Sequence, residues 1–265
     1  MRVLGIVSGK GGVGKTTIAT NLALALSEIG REVVIVDCNI TTSHVGFSFG
    51  FYYYPITLND VLKGLFDLRK AVYKKWGISI IPASLKLKDL LGVDVERIRE
   101  VIRELDADYV ILDSAPGLGK EAVSAMRASD ELIYVAMPFI NSVADVIRCK
   151  RLADSLDKKS LGVVLNMVKG ERYELTEKEV EEITGMKVLA SVPYDKNVEK
   201  SLAYGIPLLK FREDCKASAE ILKLAGMIEG VPVYPKKLGL FERLSRKLNE
   251  FFSLRKRVPE EVSLI

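Results

Sequence analysis

Nine residues near the start of the chain, Gly9-Lys10-Gly11-Gly12-Val13-Gly14-Lys15-Thr16-Thr17, limit what the rest can fold into. They fit G-x-x-x-x-G-K-[ST], a phosphate-cradling loop whose context is a strand before it and a helix after it. Val3 to Val7 is a continuous apolar run of strand length. From Thr16 to Ile29, the residues Ile18, Leu22, Ala25, Leu26 and Ile29 recur at helical spacing. Glycines let the backbone turn inward, so that successive N–H groups and the helix N-terminus face a polyphosphate. In that setting Lys15 pairs with the β- and γ-phosphates and the Thr16 hydroxyl takes a Mg²⁺ ion. Gly11, Gly12, Val13, Gly14, Lys15, Thr16 and Thr17 are therefore the expected phosphate-binding set.

Further apolar runs follow at Glu32 to Asp37, Ile78 to Ile81, Tyr109 to Asp113, Leu132 to Ala136, Leu161 to Asn166 and Val188 to Val192. With the first, they predict about seven strands. Short helices are expected from Thr57 to Leu62 and from Leu68 to Lys75, and longer ones from Asp94 to Leu105 and Ser142 to Leu156. Others are expected from Thr176 to Thr184, where Glu179 completes a capping box, near Asn197 to Tyr204, and from Lys216 to Ile228. Continuous β-branched runs alternating with helices predict an α/β fold, a doubly wound and mostly parallel sheet with helices on both faces. Ligands of such sheets sit at the carboxyl ends of the strands. Residues 38 to 56 read as a long loop carrying Phe47, Phe49, Phe51, Tyr52, Tyr53 and Tyr54, aromatic side chains suited to packing between that loop and its neighbours or to a partner. The single histidine, His44, reads as a solvated loop residue.

Two carboxylates end strands, Asp37 and Asp113. A carboxylate after an apolar run is the Walker B arrangement, which meets Mg²⁺ largely through water because the ion keeps part of its hydration shell. Thr16, Asp37 and Asp113 are the expected metal-side residues.

With Lys10 ahead of Lys15, the run Lys-Gly-Gly-Val-Gly-Lys-Thr-Thr resembles the deviant Walker A box of the MinD/ParA group of P-loop ATPases. The resemblance covers residues 1 to 228 or so, and it implies ATP with Mg²⁺, a homodimer bridged by ATP, and ATP hydrolysis. It implies that Lys10 reaches the nucleotide held by the other subunit. Asp113-Ser-Ala-Pro-Gly resembles the family's switch II and makes Gly117 the glycine that senses the γ-phosphate. Val163-Val-Leu-Asn166 is similar to the strand ending on an adenine-reading asparagine, and Val192-Pro-Tyr-Asp195 to the segment walling the base, so Asn166, Pro193 and Asp195 are expected at the base. There is no Asn-Lys-x-Asp guanine box. The chain departs from the family at Asp37-Cys38-Asn39, where the usual pattern is Asp-x-Asp. An amide holds a water but cannot accept its proton. Because phosphoryl transfer depends more on positioning than on a strong base, Asn39 predicts slow hydrolysis rather than none. Lys10, Lys15, Asp37 and Asn39 are the expected catalytic set.

An apolar content of 48% suffices for a large core. Cys38, Cys149 and Cys215 are far apart and lack C-x-x-C spacing, which predicts a reducing compartment and neither disulfides nor an iron–sulfur cluster. The Met-Arg-Val-Leu-Gly start runs into the first strand without a signal peptide, and no apolar run approaches the roughly 18 residues of a membrane span.

Charge divides the chain at about residue 230, giving an expected ATPase domain from 1 to 230 and a tail from 231 to 265. Val233 to Ile265 holds eight basic and four acidic residues, so the whole net charge of +4 lies there and the body is balanced. That balance disfavours a broad nucleic-acid surface. As a helix, Leu240 to Phe252 gathers Leu240, Phe241, Leu244, Leu248, Phe251 and Phe252 on one face, with Arg243, Arg246 and Lys247 elsewhere. Such a helix lies in a membrane interface, though the same spacing suits packing on its own domain or on a partner. Half-burying the six apolar side chains contributes roughly 6 kcal/mol, and each cation adds about 1 kcal/mol near anionic lipid. Helix ordering and association oppose this, so one tail binds weakly and two on a dimer bind well. Together with this tail, the resemblance implies a MinD-like cytoplasmic switch, peripheral on the inner face of the membrane, that positions a regulatory or cargo protein. A ParA-like switch holding DNA, with the tail packed on the body, and a metabolic ATPase acting on a small molecule are the competing readings.

Overall fold

The computed structural model describes residues 1–233, and the predicted tail helix from Leu240 to Phe252 lies outside them. Eight strands form one sheet: β1 (Arg2–Val7), β2 (Val33–Cys38), β3 (Tyr73–Lys75), β4 (Ile78–Ile81), β5 (Tyr109–Ser114), β6 (Glu131–Ala136), β7 (Lys159–Val168) and β8 (Val188–Pro193). Their order is β3-β4-β2-β5-β1-β6-β7-β8, all parallel except β3. The helices are α1 (Lys15–Glu28), α2 (Val45–Ser48), α3 (Leu58–Leu62), α4 (Ile98–Ile102), α5 (Lys120–Ala128), α6 (Ile140–Ser155), α7 (Glu177–Thr184), α8 (Lys196–Ala203), α9 (Leu208–Phe211) and α10 (Lys216–Glu229). None of the described helices is long and apolar enough to cross a membrane.

The central strands read as unbroken apolar runs because both faces are covered. One face packs Leu4, Ile6, Ile35 and Ile111 against α1 and α10. The other packs Val34, Val36, Val110 and Leu112 against α3, α4 and α5. Helix α1 runs through the interior, with Ile18, Leu22, Leu24 and Leu26 all fully buried. Thr57 and Thr176 cap α3 and α7 through Asp60 and Glu179.

The expected helix from Leu68 to Lys75 is instead a 3₁₀ turn, Leu68–Ala71, followed by the edge strand β3. Trp76 and Gly77, both at positive φ, form the two-residue turn that folds β3 back on β4, the conformation favoured by the right-handed twist of a hairpin. The Asp94-to-Leu105 helix shortens to a 3₁₀ turn running into α4. Helices α2, α5 and α9 are additional to the expected set.

Candidate functional site

The phosphate loop leaves β1 and enters α1 between strands β5 and β6, at the carboxyl end of the sheet. Gly12 and Gly14 take φ of 80° and 85°. A Cβ at Gly14 would sit 2.1 Å from Asn166 Nδ2, so this position needs glycine for space as well as for conformation.

Behind the loop lies a buried charge cluster. Asp37 and Asp113 are paired in register on β2 and β5. Lys15 Nζ is 2.6 Å from Asp113 Oδ1, and the Thr16 hydroxyl donates to Asp113 Oδ2 at 2.6 Å. The second carboxylate, Asp37, ties down the loop that follows it. Its Oδ2 accepts from the Ser43 hydroxyl at 2.7 Å and from the His44 and Val45 amides at 3.0 Å, and its Oδ1 from the Asn39 amide at 3.1 Å. Burial, followed by the charge of Asp113, pushes the Asp37 carboxyl up to about 7, against the opposing pull of those hydrogen bonds. Two carboxylates held together in a dry site are what a divalent cation relieves, and the Thr16 hydroxyl stands beside them. The residues present fit a magnesium nucleotide.

Asn39 is engaged within its own loop. Its Nδ2 donates to the Thr42 carbonyl at 2.5 Å, and the Thr42 hydroxyl donates back to Oδ1 at 3.0 Å. Asn166 lies inside β7, which runs on to Val168 instead of ending at the asparagine as expected; it donates from Nδ2 to the Val13 carbonyl at 2.8 Å, which leaves its Oδ1 and one N–H for other partners. Gly117 takes a φ of 80°, and its N–H donates to the Ser8 carbonyl at 2.9 Å. Asp195 caps α8 by accepting from the Asn197 amide at 2.8 Å.

In front of them lies a cavity of about 560 Å³, which Asn39, Asn166 and Asp195 line but Asp37, Asp113 and Gly117 do not. The phosphate loop and Asn39 line one part, and Asn166, Pro193, Tyr194, Asp195, Val198 and Leu202 another. Lys10 lines it too, and also opens onto a neighbouring groove with Phe139, Ile140 and Tyr173. Phe139 stacks on Tyr173 at 6.4 Å, and Ile140 and Tyr173 are strongly exposed. Several lining residues escaped the sequence reading, among them Thr42, Phe47 and Met167, whose types carry no site signal, and exposed His44, whose place at the cavity only the Asp37 bonds reveal.

The aromatic stretch packs into this region. Phe49 is fully buried against Trp76, with centroids 5.9 Å apart, and Tyr54 meets Tyr73 edge-on at 4.7 Å. Cys38, Cys149 and Cys215 are free thiols, and the described residues hold no cluster of metal-ligating side chains of the His/Cys/Asp/Glu type beyond pairs.

Residues 4–208 match the family described as the CobQ/CobB/MinD/ParA nucleotide binding domain. An ATP-binding protein of Methanocaldococcus jannaschii, itself uncharacterised, is 36% identical over 235 residues, spanning 88% of this chain and 89% of the relative. Among solved structures, the Pyrococcus furiosus cell division ATPase MinD superposes with a TM-score of 0.83 at 30% identity, over 86% of this chain and 98% of that one. The septum site-determining protein MinD of Pyrococcus horikoshii, in complex with Mg-ADP, gives a TM-score of 0.83 at 31% identity, over 86% and 96%.

Proposed function

The chain belongs to the CobQ/CobB/MinD/ParA family of nucleotide-binding domains, on its MinD side, and from that premise we propose that it is an ATP-driven dimerisation switch. Its cofactors are ATP and Mg²⁺. In this reading Lys15 and the amides from Gly11 to Thr17 hold the phosphates, and Thr16, Asp37 and Asp113 hold the ion. Bound there, Mg²⁺ supplies charge neutralisation across the phosphates. Asn39 leaves Thr42 to orient the attacking water, and Gly117 exchanges its bond to Ser8 for a γ-phosphate contact. Asn166, Pro193 and Asp195 face the base. Hydrolysis is slow, because an amide orients water without taking its proton.

The observation that carries the dimer is Lys10. It lies at the rim of the nucleotide cavity, and no hydrogen bond or ion pair from the described residues engages its ammonium. Beside it are the exposed Ile140 and Tyr173, apolar surface of the kind a second copy covers. The basic tail then couples nucleotide state to an anionic membrane, and through it to the position of a partner protein.

The test is co-sedimentation with anionic liposomes, comparing ATP with ADP and the full chain with one ending at Gly230. Salt-sensitive pelleting that needs both ATP and the tail is the expected result. Dimerisation by ATP without any pelleting would remove the membrane role and turn the assay to DNA.

A further inference from the structure

One wall of the cavity joins the segment after β8 to the loop that follows β2. Helix α2, just after the Asp37 loop, brings Phe47 to the cavity together with Tyr194, Val198 and Leu202, three residues of the segment entering and forming α8. Tyr194 and Leu202 are about half exposed, and both line this cavity. Asp195 and Glu199 of the same segment line the cavity as well, but the side chains of Phe47, Tyr194, Val198 and Leu202 offer it apolar and aromatic surface, which suits a purine rather than a phosphate.

The position of Phe47 is fixed from two sides. At its back, Gly50 and Gly205 bring the α2 turn against the turn after α8. A Cβ at Gly205 would lie 2.8 Å from Gly50 Cα and 3.0 Å from the Phe47 carbonyl, and φ there is 60°. From the sheet edge, Lys75 on β3 donates to the Phe49 carbonyl at 2.5 Å. Its ammonium lies 4.4 Å from the Phe51 ring centroid and 4.6 Å from that of Trp76, both in cation–π range. Phe49, between Phe47 and this clamp, is buried against Trp76.

We infer that Phe47 is a specificity-determining residue for the nucleoside part of the ligand, closing an apolar slot opposite Tyr194 and Leu202, and that Lys75 is a positioning residue that holds it there. The inference rests on the nucleotide-site reading given above. It assigns the aromatic stretch a task beyond packing, since the edge strand and its cation set the width of the base slot.

The experiment titrates the full chain calorimetrically with Mg-ADP and, separately, with magnesium pyrophosphate, which meets only the phosphate loop. Phe47→Ala is expected to weaken Mg-ADP about tenfold, the size of one lost base–ring contact, and to leave pyrophosphate within about twofold. Phe47→Tyr restores the affinity. Lys75→Met, which keeps the apolar stem and loses the donor, gives a smaller loss with the same selectivity. Equal weakening of both ligands, or an unchanged Mg-ADP affinity, in variants that still unfold cooperatively overturns the assignment. A parent chain that binds pyrophosphate but not Mg-ADP also overturns it. If the parent binds neither ligand, the nucleotide-site reading itself falls.

Discussion

Removing the ammonium of Lys15 leaves Asp113 facing Asp37 across adjacent strands with hydrogen bonds but no cation from the described residues to balance the pair. Both partners of the Lys15–Asp113 bridge are almost wholly buried, so the loss is that of an unpaired internal charge rather than of a surface ion pair. Lys15→Met is therefore expected to lower the stability of the nucleotide-free protein by about 3 kcal/mol, a fall in melting temperature of roughly 6–12 °C for a domain this size. An unchanged midpoint in thermal unfolding would show that the bridge contributes only to ligand binding. Asn39 makes the opposite kind of prediction. In Asn39→Asp the bond from the Thr42 hydroxyl survives, but the Thr42 carbonyl faces an oxygen instead of a donor, which frees the side chain toward the phosphates. A carboxylate there also accepts a proton, and turnover at saturating Mg-ATP should rise about tenfold, below the usual range for a general base because positioning dominates this chemistry. Phosphate release no faster than the parent's would mean that Asn39 does not limit the rate.

At the scale of elements, Glu131 joins three strands at their amino ends. It accepts from Arg2 on β1 at 3.2 Å through Nε and from Lys159 on β7 at 2.5 Å. Burial alone would raise its carboxyl, but the hydrogen bonds from Lys159 and Arg2 outweigh it and hold the group below the usual carboxylate range. A depressed carboxylate stabilises the fold above its unfolded value of about 4.5, and that contribution is lost as pH falls through the folded value. Glu131→Gln should thus cost about 1 kcal/mol at pH 7, discounted for the exposure of both cations, and its melting temperature should converge on the parent's as pH falls below the folded value. A gap that persists at the lowest pH where both proteins stay folded would assign the cost to packing. The strands this residue ties together were plain in the sequence, because a buried parallel sheet writes itself as unbroken apolar runs. Edge strand β3 was not, since Tyr73-Lys74-Lys75 is short and polar, and its turn opens on Trp76 instead of the usual Asn or Gly. Helix α5 escaped for another reason: apart from Met126 it buries only Ala122, Ser124, Ala125 and Ala128, side chains too small to mark a helical stripe. The phosphate loop and both strand-ending carboxylates were legible because a motif carries them. The placement of Phe47 and Lys75 was not, because a contact between α2, α8 and the sheet edge leaves no local spacing to read.

Across the whole molecule, the nucleotide cavity and the last turn of α10 lie at opposite ends of the sheet. The cavity sits at the carboxyl ends of the strands, whereas the last turn of α10 is held at the amino ends. There the Ile228 carbonyl accepts from Arg2 at 3.2 Å, and Glu229 pairs with Arg31 at 2.6 Å. On the proposed function, a bound nucleotide acts on the tail through dimerisation. Lys10 separates the two events, because it stands at the cavity rim and faces outward to the groove beside Ile140 and Tyr173. Lys10→Ala should leave Mg-ADP affinity within about threefold of the parent, since the loop amides and Lys15 hold the phosphates within one subunit. The same change should abolish the ATP-dependent dimer in sedimentation velocity and, with it, the gain of about 10²-fold that two linked tails have over one. Liposome pelleting of the variant in ATP should then fall to the level of the parent in ADP, and no lower. Pelleting that stays at the parent's ATP level in a monomeric variant would mean that the nucleotide reaches the tail inside one subunit, through the body of the sheet.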